Sequence, residues 1–341
     1  MILPVIRTRL AASLALALLC AMLPALAQKK PQQQEKPLAG PLATPLRITV
    51  LYVAPDTSSQ KVDRIQIGRE MVVAEKNGPW LRVYANTDME EMQTKDAPMF
   101  DAHDIPPPVS GWMESKGIVI ETTPNGDQVL FGEAANQEAL ASDPRGPANA
   151  AQSARLLYRR LTEMFPKSTL VPTASWRSAD IEWQIEKADV SSRPSAKERD
   201  PDMREQLDED ELKKIIKYYP HAREADLAAF ELLDNKLCGD RQGQPKCPIR
   251  ESALYEKFAA EFPEGPRTAQ ALYLAVYRHA VLTDMYAADG SDKKSDEAHN
   301  HAKDILRHLT DKFPQSDYTA RAAAIVFKLD QGVPVYGIDR E

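Results

Sequence analysis

The chain has 341 residues, 43% of them hydrophobic and 27% charged, and a formal net charge of −7. These are globular values with room for about two domains. An acidic balance excludes the uniform basic surface by which a protein tracks nucleic acid or an anionic lipid face.

The N-terminus differs in kind from the rest. Arg7 and Arg9 precede an apolar run from Leu10 to Leu26, which ends in Ala25-Leu26-Ala27 before Gln28-Lys29-Lys30. This order of basic, apolar and small residues predicts a secretory signal peptide over 1–27, cleaved near Ala27. An uncleaved membrane anchor is a competing reading. Lipid attachment at Cys20 is another, opposed by bulky Leu19 where that cleavage needs a small residue. Cleavage makes the mature chain two units more acidic, periplasmic or secreted, and without a transmembrane span. It leaves Cys238 and Cys247, an even count that reads as a disulfide in an exported chain. Residues 28–45 carry Pro31, Pro37, Pro41 and Pro45 among Gln and Lys, and read as a flexible linker.

From Leu46 the apolar period changes to two. Leu46 to Val53, Glu70 to Ala74, Trp80 to Tyr84, Gly111 to Met113 and Ile118 to Ile120 read as short strands. Turn signals such as Asn77-Gly78 separate them. Thr122 to Gly126 reads as another hairpin, with Gln128 to Phe131 returning along Ile118–Ile120. The expectation is a small antiparallel barrel over 46–132. The residues Leu51 to Ala54, Gly68, Gly78 to Val83, Gly111-Trp112 and Gly117 to Val119 resemble, in this order, a bacterial SH3 domain. That resemblance implies an SH3-like barrel with a peptide-binding surface, on which Tyr52, Tyr84 and Trp112 are the candidate ligand-binding residues. Trp80 is a further aromatic at a strand end. Residues 86–110, with Pro106-Pro107-Pro108, replace the family's usual tight turn.

Ala134 to Ala141 is a short helix candidate, and Asp143 to Pro147 marks a domain boundary. Beyond it a pattern recurs four times, centred on Phe165-Pro166, Tyr219-Pro220, Phe262-Pro263 and Phe313-Pro314. Eight residues before each proline stand Tyr158, Leu212, Tyr255 and Leu306; five before stand Leu161, Ile215, Phe258 and Leu309. Eight after stand Ala174, Ala228, Ala271 and Ala322, and two further on come Trp176, Phe230, Tyr273 and Ala324. Each unit therefore predicts a helix with an apolar stripe, a proline stop and a second helix that folds back closely over a fixed alanine. Ser168, Gly265 and Ser316, two residues past their prolines, suit helix N-caps. The pattern resembles tetratricopeptide-like repeats and covers 147–336 as an all-α array of four hairpins. The prolines are 54, 43 and 51 residues apart, against a repeat of about 34. The surplus falls at 191–209, 238–248 and 284–297, which predicts three long loops along one edge.

Candidate chemistry is sparse. His299, His301 and His308 form the one histidine cluster and read as a solvated helix face rather than a metal site. Met89, Met92, Met99 and His103 lie in an acidic loop and read the same way. No nucleophile elbow, zincin helix, phosphate loop or Ser-x-x-Lys motif occurs, so the expectation is no enzyme, no metal and no cofactor. The two resemblances together imply a cell-envelope scaffold. Its barrel would bind peptidoglycan peptide or a protein, and its array would bind envelope proteins, with no nucleic acid involved. The alternative is an accessory or targeting factor of a wall-remodelling hydrolase.

Overall fold

The architecture is taken from a computed structural model that describes residues 39–88, 108–198, 200–238 and 244–335. The segment read as a signal peptide and the methionines at 89, 92 and 99 with His103 lie outside the described residues.

Seven strands come first: β1 (Leu42–Pro45), β2 (Thr49–Tyr52), β3 (Lys61–Ile65), β4 (Met71–Asn77), β5 (Trp80–Ala85), β6 (Val109–Glu114) and β7 (Ile118–Ile120). They form one antiparallel sheet in the order β3-β2-β6-β5-β4-β1-β7. The sheet is open, with β3 and β7 at its two edges, so the closed barrel expected from the strand order is not formed. The reason is β1. Its four residues belong to the stretch read as linker, yet Ala43 pairs with both Met71 of β4 and Ile120 of β7. By entering between those strands, β1 carries β7 outward, and Val119 of β7 joins a helical core. The proline content that suggested a tether is tolerated because Pro45 ends the strand, its carbonyl accepting from the Gly68 N–H at 3.0 Å. The other face of the fold holds Leu51, Ile65, Met71, Leu81, Val83 and Met113.

Nine α-helices follow among the described residues: α1 (Gly126–Ala141), α2 (Ala150–Met164), α3 (Val171–Ser192), α4 (Asp210–Tyr218), α5 (Arg223–Glu231), α6 (Lys246–Glu261), α7 (Thr268–Ala288), α8 (Asp292–Lys312) and α9 (Asp317–Asp330). The first corrects the sequence reading, since residues 128–131 are helical and do not return as a strand. Asn125 takes a left-handed conformation, φ 54°, and the chain passes straight into α1. Leu130, Ala134 and Gln137 then share its buried face at helical spacing. A side chain on Gly126 would meet the Phe165 ring at 2.3 Å, so this glycine serves close packing and not a hairpin.

The pairs α2–α3, α4–α5, α6–α7 and α8–α9 are the four predicted hairpins. Each first helix ends on its aromatic residue with the same closing bond. The N–H groups of Phe165, Tyr219, Phe262 and Phe313 donate to the carbonyls of Leu161, Ile215, Phe258 and Leu309 at 2.8–2.9 Å. Ala174, Ala228, Ala271 and Ala322 are each 0% exposed, as the fixed close-approach site requires. The N-cap expectation holds for Ser316, whose Oγ accepts from the Tyr318 N–H. It fails for Ser168 and Gly265, because α3 and α7 start later, after Leu170 and Arg267. Ser168 instead donates to Asp127 of α1 at 2.6 Å.

Two of the three expected loops meet. Asp200 of the first pairs with Lys246 of the second at 3.7 Å, and beside them Arg204 donates to the carbonyls of Asp234 and Leu237 and Asp202 pairs with Arg250. The third is not a loop. Residues 284–297 extend α7 and α8, broken only at Asp289 to Ser291, where Gly290 has φ +70°.

Candidate functional site

The three aromatics proposed from the sequence come together on the sheet's outer face. Along β5 the inward residues are Leu81, Val83 and Ala85, so Trp80, Arg82 and Tyr84 point the other way. Trp112 of β6 pairs directly with Arg82 on one side and with Tyr52 of β2 on the other. The Tyr52 and Trp80 rings meet edge to face at 5.9 Å. All four aromatics are half-buried on this side of the sheet.

The helical array offers a concave site. A groove of about 450 Å³ runs between α3, the start of α5 and the turn before α7, lined by Thr173, Trp176, Arg177, Arg223, Leu227 and Arg267 with Glu224 and Pro266. A neighbouring depression shares Arg223 and Pro266. The three arginines are not equivalent. Arg177 is held by Glu138 of α1, which also accepts from the Tyr158 hydroxyl at 3.1 Å. Burial, reinforced by the Glu138 charge, pushes the Tyr158 hydroxyl up to about 12. Arg267 lies over the Phe230 ring at 5.6 Å and donates to Gln270. Arg223 is exposed and has no ion-pair partner among the described residues. Trp176 is half-buried, and its Nε1 is a buried donor without an acceptor among the described residues. Sequence inspection offered Trp176 as repeat packing; the arginines escaped it because they converge only after three hairpins stack.

Glu231 of α5 lies within electrostatic reach of Asp180 and Asp234. Burial first, then these two carboxylates, push Glu231 up from 4.5 to about 7. The folded chain thus keeps a proton that the unfolded chain has released, so stability falls as pH rises from about 4.5 to 7. Glu231→Gln is expected to be more stable than wild type by about 2 kcal/mol at pH 8 and indistinguishable from it at pH 4. Urea titrations at the two pH values test the difference.

Cys238 and Cys247, read from the sequence as a pair, stand at disulfide distance with Cα atoms 5.9 Å apart. Buried Glu251 accepts from the Cys238 N–H at 3.0 Å and pairs with Arg278 of α7 at 2.5 Å. A cross-link over so short a loop contributes roughly 2.5–3 kcal/mol. The histidine cluster separates. His299 pairs with Asp330, His308 is exposed, and His301 meets Glu256 of α6 and His279 of α7. Neither Glu256 nor His279 was singled out in the sequence.

The fold is therefore an antiparallel sheet continued by an array of helical hairpins. No protein-family model matches the chain, and no curated protein does. Among solved structures, a de novo designed helical repeat protein aligns over 61% of this chain and 94% of its own, at 14% identity and a TM-score of 0.22. The repeat assignment rests on the four hairpins themselves. No described helix is long and apolar enough to cross a membrane.

Proposed function

We propose that this chain is a non-enzymatic binding scaffold of the cell envelope, whose helical groove holds an acidic segment of a partner protein. The observation that carries this reading is the groove's composition. In a chain of net charge −7, Arg223 and Arg267 border an apolar strip of Trp176, Leu227 and Pro266, and Arg223 has no ion-pair partner among the described residues. Guanidinium groups beside an apolar wall suit a carboxylate-bearing peptide that also brings a hydrophobic side chain. The array is read as tetratricopeptide-like and the sheet as a derivative of the bacterial SH3 domain. Its platform of Tyr52, Tyr84 and Trp112 is the second surface, for peptidoglycan peptide or a further protein. Export rests on the N-terminal segment.

The test is fluorescence anisotropy with a labelled Glu- and Asp-rich peptide carrying one leucine, beside the same peptide with Gln and Asn. Preferential binding of the acidic form, weakened at least about tenfold by Arg223→Glu, is the expected result; tenfold corresponds to about 1.4 kcal/mol. Equal binding of both peptides, or none, removes the groove reading. Co-sedimentation of the mature chain with purified sacculi, lost in Trp112→Ala, tests the platform separately.

A further inference from the structure

We infer that Glu256, His279 and His301 form a binding site for a first-row divalent transition ion, Zn²⁺ in the first place. Each comes from a different helix: Glu256 from α6, His279 from α7 and His301 from α8. Their ligand atoms lie within 4.8 Å of one another. The Glu256 carboxylate sits between the rings, with Oε1 2.9 Å from Nε2 of His279 and Oε2 2.8 Å from Nε2 of His301. The two imidazoles meet edge to face, with centroids 4.4 Å apart. Both Nε2 atoms are thus directed at one carboxylate.

Charge makes the arrangement more than a pair of hydrogen bonds. Among the described residues, Glu256 has no lysine or arginine partner; its ion-pair partners are the two imidazoles. The charge on Glu256 is therefore one that a cation held among these three groups would balance. Two imidazoles and one carboxylate are a donor set for Zn²⁺, which takes nitrogen at about 2.0–2.1 Å and carboxylate oxygen at about 2.0–2.2 Å. The same set disfavours Mg²⁺ and Ca²⁺, which require oxygen shells. Each of the three side chains is carried by a helix of the array.

The exposure gradient fixes the orientation of the site. The side chains are 14% exposed for His279, 33% for Glu256 and 46% for His301. The ion would sit on the flank of the third and fourth hairpins with its fourth position turned to solvent. Three protein ligands and one open position leave room for water or for a donor from a bound partner.

The experiment uses the untagged mature chain, stripped with chelator and titrated with Zn²⁺ by calorimetry at pH 7. One Zn²⁺ per chain is expected, with a melting temperature raised by Zn²⁺ and unmoved by Mg²⁺. Co²⁺ should give a visible absorption band that Zn²⁺ displaces. Binding should weaken as pH falls from 7 to 5, because the imidazoles must shed protons to ligate. His301→Ala and Glu256→Gln change partly exposed side chains and should each weaken Zn²⁺ binding more than about 100-fold, beyond the loss typical of an outer-shell partner. His308→Ala, on the same helix, should leave it intact. Failure of wild type to bind Zn²⁺ or Co²⁺, unchanged affinity in His301→Ala, or equal loss in His308→Ala would each overturn the assignment. Acidic-peptide binding in the groove is independent of all these outcomes.

Discussion

Arg160→Met is expected to destabilise the protein by about 3–5 kcal/mol, the cost of breaking a buried ion pair from one side. Arg160 lies on α2 and is 1% exposed. Its guanidinium reaches Glu70, beside β4, at 2.5 Å, and Asp88, beyond β5, at 3.4 Å; it also meets Glu163 one turn along its own helix at 2.5 Å. Asp88 is likewise 1% exposed, and a second arginine, Arg69, stands 3.6 Å from it. Methionine fills much the same volume but brings no charge, so the loss measured is electrostatic rather than a cavity. Asp88 would then remain buried without its Arg160 contact, in a medium where an under-compensated charge is poorly solvated. The control is Arg160→Met with Asp88→Leu. If the single variant suffers from a stranded carboxylate, the double variant should recover at least half of the loss, a coupling readable from the double-mutant cycle. Urea denaturation supplies all four free energies. A single-variant loss below 1 kcal/mol would mean that this network does not hold the sheet to the helices.

That network also marks where sequence reading stops. The four hairpins were legible because their signals are local: an aromatic before proline ends a helix wherever it occurs, and the alanine column keeps a fixed distance from it. All four alanines are fully buried and all four helix ends share one closing bond. Three features were hidden for separate reasons. Strand β1 has no alternation and contains a proline; its conformation is imposed by β4 and β7, both far along the chain. In α1 a strong turn dipeptide, Asn125-Gly126, outweighed a helical pattern that begins at its glycine. Residues 284–297 are polar but rich in Ala, Lys, Asp and Glu, so they extend helices and do not loop out, with Gly290 alone supplying the break. The candidate sites divide in the same way. Tyr52, Tyr84 and Trp112 are placed on one face by the two-residue period of their strands, which a sequence shows. Arg223 with Arg267, and Glu256 with His279 and His301, meet only through hairpin stacking.

Gly68→Ala is the second large effect expected, at about 2–5 kcal/mol. Gly68 was legible only as one residue of the SH3-like pattern, whereas its surroundings give it a structural task. It has φ +78° and is buried, a conformation that costs an L-residue roughly 1–2 kcal/mol. An added Cβ would lie 2.7 Å from Cβ of Leu156 and 3.1 Å from the backbone nitrogen of Leu157, both on α2. Neither atom is the free end of a flexible side chain, so the helix itself must retreat, and overpacking of this kind costs about 1–3 kcal/mol more. Gly78→Ala separates the two contributions. Gly78 also has a positive φ, +57°, but a Cβ there would meet nothing within 4 Å, so its loss should be the backbone cost alone. The difference between the two variants then measures how tightly the sheet seats on α2. Retreat of that helix would also draw Arg160 away from Glu70, so Gly68→Ala and Arg160→Met together should cost less than their sum. Strict additivity, or equal losses at Gly68 and Gly78, would show that the helix docks without depending on the absent side chain.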